Sequence, residues 1–349
     1  MPQTNLLGFC GLKPPEAAEE PDGGWLVVDL FCSIGGLSAA AKALGHRVVL
    51  AVDACQWRLD IHELNHPECT HVCMELGPKT EKQLLKLIYR AVPKAERHRL
   101  WLHASPPCQT NSKMQSMEFW NSVETRREKK GVGLQLVRWA CDFVLKLQPA
   151  QWSMEEVDDF NQKVNGELRR MKQKDKALVD YGVFNFADFG LPQTRKRVIA
   201  GRPATIHALR HAPQFRVQKR TSIGEAMAAV GTMPTNARWY HGPNHQFPKK
   251  GQMRPCPWTP GKWSDGTAHC YELSAVGPPC TTHLTNWLDE EFDFIRRLSG
   301  EETQAYCGFD ADFVWPEKIS RKRVLIGVGN AVPPLFAKCL FKAATTPSA

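Results

Sequence analysis

Residues 25–31 read WLVVDLF, an apolar run broken only by Asp29. A strand with one wet face alternates between apolar and polar residues. An unbroken run suits a strand covered on both faces, as in a parallel sheet with helices above and below. Ser33-Ile34-Gly35-Gly36 follows as a glycine turn, and Leu37, Ala40, Ala43 and Leu44 continue at helical spacing to Gly45, a helix C-cap. A second strand, residues 47–52, ends on Asp53. This is a β-α-β unit with an acid about twenty residues past the turn, the spacing of a ribose-binding carboxylate. The glycines permit close backbone approach, and the helix N-terminus favours an anionic or polar group. A purely structural turn would carry the same glycines; Asp53 is what favours a ligand.

The stretch 100–114, LWLHASPPCQTNSKM, opens as another short buried strand. Pro106 and Pro107 then fix φ and remove two backbone donors, so the chain leaves the sheet on a stiff path. Cys108 follows at the carboxyl end of the strand, where ligands bind in open α/β sheets. A buried, inert cysteine would satisfy the local pattern equally well.

The chain of 349 residues carries 45 Lys and Arg against 36 Asp and Glu, a net charge of +9 that favours a polyanionic partner. Twelve cysteines are too sparse for a disulfide scaffold. The N-terminus lacks a secretory pattern, and no apolar run is expected to reach the roughly 18 residues of a membrane span. These features predict an intracellular protein with reduced thiols, nuclear if the source is eukaryotic and cytoplasmic if it is bacterial or phage. Cys256, His269, Cys270, Cys280 and His283, with His241 and His245 upstream, fit no standard zinc spacing, so no metal is expected.

Residues 1–24 read as a loose arm. Glu75 stands just before Gly77-Pro78, and residues 80–91 look helical. Residues 110–130 are polar, hold Arg126, Arg127, Lys129 and Lys130, and run up to Gly131 and Gly133. Such a segment suits a mobile lid or a solvated charge run. Residues 134–147 form an apolar helix, and 152–157 a strand with the adjacent carboxylates Glu155 and Glu156. Residues 169–176 read as a basic helix surface. On an extended segment Gln193, Arg195 and Arg197 share one face, as an anion or carbonyl clamp or as an exposed edge strand. From 203 to about 275 periodicity is poor, and Trp239, Tyr240, His241, Trp258 and Trp263 lie among Lys249, Lys250, Arg254 and Lys262.

Taken in order, DLFCSIGG from Asp29, Asp53, PPCQ from Pro106, EEV from Glu155, QTRKR from Gln193, VGPPCTT from Val276, LSGEETQAYCGF from Leu298 and GNAVPP from Gly329 resemble the cytosine-5 DNA methyltransferase family. The resemblance implies an α/β fold, a doubly wound, mostly parallel Rossmann-like sheet, with a small loop-rich target-recognition domain. It divides the chain into an arm at 1–24, a catalytic domain at 25–202, a recognition domain at 203–275, and a return through 276–349 to both domains. It implies S-adenosyl-L-methionine as cofactor, held by Phe31, Ser33, Gly35, Gly36, Asp53, Glu75, Pro107 and Asn330. It implies Cys108 as the thiolate that adds to carbon 6 of cytosine, and Glu155, protonated in a dry pocket, as the acid for ring nitrogen 3. Arg195 and Arg197 would steady the base carbonyl and the active-site groups, and Gln109, Ser112 and Gln193 would touch the substrate. The partner is duplex DNA with a flipped cytosine, bound by a monomer.

Three positions depart from the family pattern. Ser33 stands where glycine is usual, Glu156 where asparagine is usual, and Thr110-Asn111-Ser112 where Gly-Phe-Ser or similar is usual. Glu156, if it faces inward, would raise the pKa of Glu155. A tRNA cytosine methyltransferase is the nearest alternative, although the recognition region lacks the Cys-Phe-Thr tripeptide of that branch. A catalytically impaired DNA-binding member and a plain nucleotide-binding scaffold are the others.

Overall fold

A computed structural model describes residues 21–107, 132–158, 161–241, 269–271, 273–280, 285–288 and 294–346. Strand β1 (Leu26–Leu30) pairs in parallel with β2 (Arg47–Asp53) and with β4 (Leu100–Ala104). β3 (Thr70–Cys73) extends the sheet beyond β2, and β5 (Gln151–Val157) extends it beyond β4, both in parallel. β7 (Lys196–Gly201) runs antiparallel to both of its neighbours, β5 and β6 (Asp180–Asn185). The order is β3-β2-β1-β4-β5-β7-β6, so β6 is the edge. Residues 196–197 therefore start an interior strand, not the exposed edge that the charge pattern also allowed.

Every residue of β1 and β4 is buried, as their unbroken apolar runs require. One face of the sheet is covered by α1 (Gly36–Ala43), α2 (Gln56–Asn65), α6 (Pro203–His211) and α10 (Pro334–Ala344), around Trp25, Trp101, Phe186 and Phe336. The other is covered by α3 (Glu81–Ala91), α4 (Val132–Leu147) and α5 (Asn161–Lys174), around Leu50, Leu102, Trp152 and Phe143. The sheet is thus doubly wound. Its strand order reverses between β1 and β4, which opens a crevice at their carboxyl ends.

Ile206 and Leu209 of α6 share a core with Leu340 and Phe341 of α10, so residues from 203 belong at first to the large packing unit. A second, antiparallel sheet has the order β11-β10-β8-β9, from β8 (Arg238–His241), β9 (His269–Tyr271), β10 (Thr285–Leu288) and β11 (Phe294–Arg297). β8 pairs with both β9 and β10, so this sheet takes strands from both sides of residue 275. Between the two sheets Trp239, Trp287 and Tyr306 pack in a third core with Ile34 and Val328.

One stretch, Arg321–Ala344 (24 residues, mean hydropathy 1.6), is long and apolar enough to cross a membrane, against the expectation of none. Within the fold 67% of its apolar window is buried, and Ala331–Pro333 divides it into α9 (Arg321–Asn330) and α10. Core helices of a folded domain meet the same length and hydropathy test as spans, because both exclude water.

Candidate active site

The loop after β1 departs from ordinary backbone geometry. Phe31 and Ser33 have φ of 57° and 52°, and Gly35, which starts α1, has φ of 90°. A side chain in this left-handed region costs about 1–2 kcal/mol, so something must hold the loop. Asp53 does so: its Oδ2 accepts from the Ser33 amide (3.0 Å) and its Oδ1 from the Cys55 amide (2.9 Å). Gly36 is needed for a different reason. A Cβ there would meet the Val332 carbonyl oxygen at 2.1 Å, so only glycine lets α1 meet the segment before α10.

The loop and the segment 329–332 border a pocket whose lining includes Asp29, Phe31, Ser33, His103, Ser105 and Asn330. Asp53 stands behind its wall. Ser33 Oγ and Asn330 Nδ2 are buried here with no hydrogen-bond partner among the described residues. Buried polar groups are normally paired, so these two are ready for a polar ligand. Asp29 is 2% exposed, and burial pushes its carboxyl up to about 7 despite a 2.7 Å hydrogen bond from Ser38 Oγ. Of the other expected cofactor residues, Glu75 and Pro107 are exposed and do not line this pocket.

Glu155 lies near the end of β5 and is 8% exposed. Its Oε1 is 2.8 Å from Arg197 Nε and 3.6 Å from Arg195 Nη2. The buried carboxyl therefore sits in an ion pair with the two arginines expected beside it. Arg195 is 3% exposed and donates from Nη1 to the Gly329 carbonyl (3.0 Å) and from Nη2 to the Ala331 carbonyl (3.3 Å). Burial and Arg197 lower its guanidinium to about 10, although Glu155 opposes that shift. The segment that borders the pocket thus also receives Arg195.

Gln193 does not join this cluster. Its Nε2 donates to the Tyr306 carbonyl (2.8 Å) and its Oε1 accepts from the Cys280 amide (2.7 Å). Beside it the Thr194 amide donates to the Gly277 carbonyl and the Gly277 amide to the Pro192 carbonyl, so Gln193 fastens the second sheet's unit to the first. Both ends of the amide are engaged by backbone, which overrides the shared-face expectation. Glu156 points away from Glu155, because successive residues on a strand face opposite sides. It shares the face of Trp152 and Met154, and burial, then Glu155, pushes its carboxyl up to about 8.

Cys108, Gln109, Ser112, the charged segment 110–130 and most of the aromatic and basic stretch 239–263 lie outside the described residues. The polar pocket residues that were not expected include Asp29, His103 and Ser105. His103 is neutral, burial lowering it to about 3, and bridges Ser153 Oγ (2.8 Å) and Ser105 Oγ (2.7 Å) at the exit towards Pro106. Asp29 and His103 are the single polar breaks in WLVVDLF and LWLHA, which was the available signal.

The family model described as C-5 cytosine-specific DNA methylase matches residues 26–345. The chain belongs to this family. Its enzyme class is that of the DNA (cytosine-5)-methyltransferases. Type II methylase M.HgiDII of Herpetosiphon aurantiacus is 22% identical over 90% of this chain and 94% of its own length. Type II methyltransferase M1.HphI of Haemophilus parahaemolyticus is 25% identical over 90% and 85%. Type II methyltransferase M.XorII of Xanthomonas oryzae is 27% identical, but over 49% of this chain and 39% of that protein. Among solved structures, the S. pombe Dnmt2 methyltransferase shares the fold with TM-score 0.59 at 14% identity, covering 92% of this chain and 98% of that one. A putative DNA modification methyltransferase of an E. coli prophage does so with TM-score 0.56 at 17% identity, over 92% and 98%.

Proposed function

We propose that this methyltransferase transfers the methyl group of S-adenosylmethionine to carbon 5 of a cytosine turned out of duplex DNA. The observation that carries the reading is the Glu155–Arg197–Arg195 cluster tied through Gly329 and Ala331 to the pocket of Ser33, Asn330 and Asp29. The pocket suits the cofactor: Asp29 would offer a counter-charge to its ammonium, Ser33 Oγ and Asn330 Nδ2 would offer unpaired polar atoms, and Asp53, behind the loop, would serve the ribose. When bound, S-adenosylmethionine supplies an electrophilic methyl on a sulfonium.

The protein's part is to make carbon 5 nucleophilic. The Cys108 thiolate adds to carbon 6, and the ring's electrons move towards nitrogen 3. Glu155, its Oε1 set against two guanidiniums, enters as the carboxylic acid with its proton on the other oxygen, gives that proton to nitrogen 3 and takes it back when the thiolate leaves. Carbon 5 takes the methyl, its proton leaves to a base or water, and the carbon 6–sulfur bond breaks to return the thiolate. The base must leave the stack first, because carbon 6 is out of reach inside the helix. The segment 110–130 would close over it. On this reading the chain acts as a monomer inside the cell.

Fluorine at carbon 5 cannot leave as a cation, so the reaction should stall after methyl transfer. Duplex DNA with 5-fluorocytosine should give a denaturation-resistant complex that needs both S-adenosylmethionine and Cys108. Cys108→Ser should abolish it, and Cys32, Cys141 and Cys307 changed singly should not. A complex that persists in Cys108→Ser would overturn the mechanism. A complex with fluorinated tRNA but with no DNA would keep the chemistry and move the substrate.

A further inference from the structure

A line of hydrogen bonds leads from the pocket floor to the protein surface. Ser38 Oγ lies 2.7 Å from Asp29 Oδ2 and 3.0 Å from His62 Nε2. His62 Nδ1 in turn lies 2.8 Å from His71 Nε2. Ser38 and His62 are fully buried, whereas His71, on β3, is half-buried. The glycine loop rests directly on this line: a Cβ at Gly35 would come within 2.8 Å of the His62 ring and 3.3 Å of the His66 ring.

Proton counting restricts the line to two arrangements. The Ser38 hydroxyl has one proton, and a neutral imidazole has one N–H. If Ser38 donates to Asp29, then His62 Nε2 must donate to Ser38 and His71 Nε2 to His62. If Asp29 carries a proton and donates it to Ser38, every bond reverses, and His62 Nδ1 donates to His71. Passing from the second arrangement to the first breaks the Asp29 O–H bond, moves one proton along each link and forms an N–H bond at His71 Nε2: Asp29 becomes a carboxylate, His71 an imidazolium, and His62 stays neutral. One proton leaves one end and arrives at the other.

We propose that Ser38 and His62 relay the Asp29 proton to His71 when an ammonium-bearing ligand enters the pocket. The inference rests on the reading of that pocket as an S-adenosylmethionine site.

The surroundings favour this direction. Asp29 faces Asp53, Cys32, Cys69 and His103, none of which offers it a positive charge, so an empty pocket favours the protonated acid. A ligand ammonium reverses that preference. His62 is kept neutral by burial and by His66 and His71 beside it, so it passes a proton without storing one. His66, which faces Lys42 and Glu68, is likewise held neutral, burial lowering it to about 4. Burial lowers the proton affinity of His71, but the Glu63 and Glu68 carboxylates and the Cys69 backbone oppose that shift, so this half-buried end takes a cation more readily than fully buried His62.

The test is an NMR titration of the His71 ring proton in the full chain, with and without S-adenosylhomocysteine. That compound carries the same ammonium but no methyl to transfer. Binding should raise the proton affinity of His71 about tenfold, one pH unit. Ser38→Ala cuts the link to Asp29, and His62→Gln replaces the ring with an amide that cannot pass a proton. In either variant the rise should fall below about twofold, while calorimetry still records binding. An equal rise in both variants would mean that charge acts through space, and would overturn the relay. So would an unchanged His71 in the wild type when calorimetry shows the ligand bound. If the wild type binds no S-adenosylhomocysteine at all, the cofactor reading itself is wrong, and the relay falls with it.

Discussion

Asp53 has two duties, and a substitution must disturb both. Its oxygens accept from the Ser33 and Cys55 amides and hold a loop whose backbone is strained at Phe31 and Ser33. Asp53→Ala leaves two buried donors without acceptors, at about 1–3 kcal/mol each. Its melting temperature should fall, and its affinity for S-adenosylhomocysteine should weaken in calorimetry. Unchanged affinity would remove Asp53 from the site. Glu156 offers a pH test with a defined sign. Its carboxyl is raised from 4.5 to about 8 in the fold, so between those values the native state binds the extra proton. Stability from this group is fully present below the lower value and is lost as pH rises through the upper one. Glu156→Gln should therefore gain stability relative to the wild type as melting is followed from acid to pH 8. Because Glu156 faces away from Glu155, Glu156→Asn should leave the pH–rate profile of methyl transfer unchanged. A shift of that profile would return Glu156 to the active-site face. For Glu155→Gln, labelled-methyl transfer should fall by about 10²–10⁴ with DNA binding retained.

At the scale of elements, function depends on two close approaches. The first brings α1 against the segment before α10, and Gly36 makes it possible. In Gly36→Ala the methyl cannot share space with the Val332 carbonyl, so helix or segment must move, at about 1–3 kcal/mol. Lower thermal stability and weaker cofactor affinity should appear together, since Asn330 belongs to the displaced segment. A variant with native melting and affinity would show that the contact is soft. The second approach fastens the stretch around Gly277 to the turn at Gln193–Thr194, through backbone bonds and both ends of the Gln193 amide.

For the whole molecule, a net charge of +9 predicts DNA binding led by phosphate contacts. Affinity for duplex DNA should fall steeply as salt rises from about 50 to 200 mM, because each phosphate neutralised releases counterions. A flat response would exclude a broad phosphate-contacting surface. The membrane-length stretch that ends the chain fits the same picture of a packed domain. Its apolar residues face Trp25, Trp101 and Phe186 rather than an outer surface.

Local chemistry was enough to expose much of this protein. Unbroken apolar runs mark strands covered on both faces, and a glycine turn followed by Asp53 marks the first β-α-β unit. The order of PPCQ, QTRKR and GNAVPP marks the family. These signals are legible because burial on both faces and left-handed turns restrict residue choice at each position. Partnership across long separations is not restricted in that way. Only the folded chain shows that Gln193 fastens two units, that Glu156 looks away from the reaction, or that residues from 203 begin inside the large core. Only it joins Asp29 to His71 through Ser38 and His62. A side chain's partner depends on which face it takes and what the chain brings opposite, and tertiary packing alone decides both.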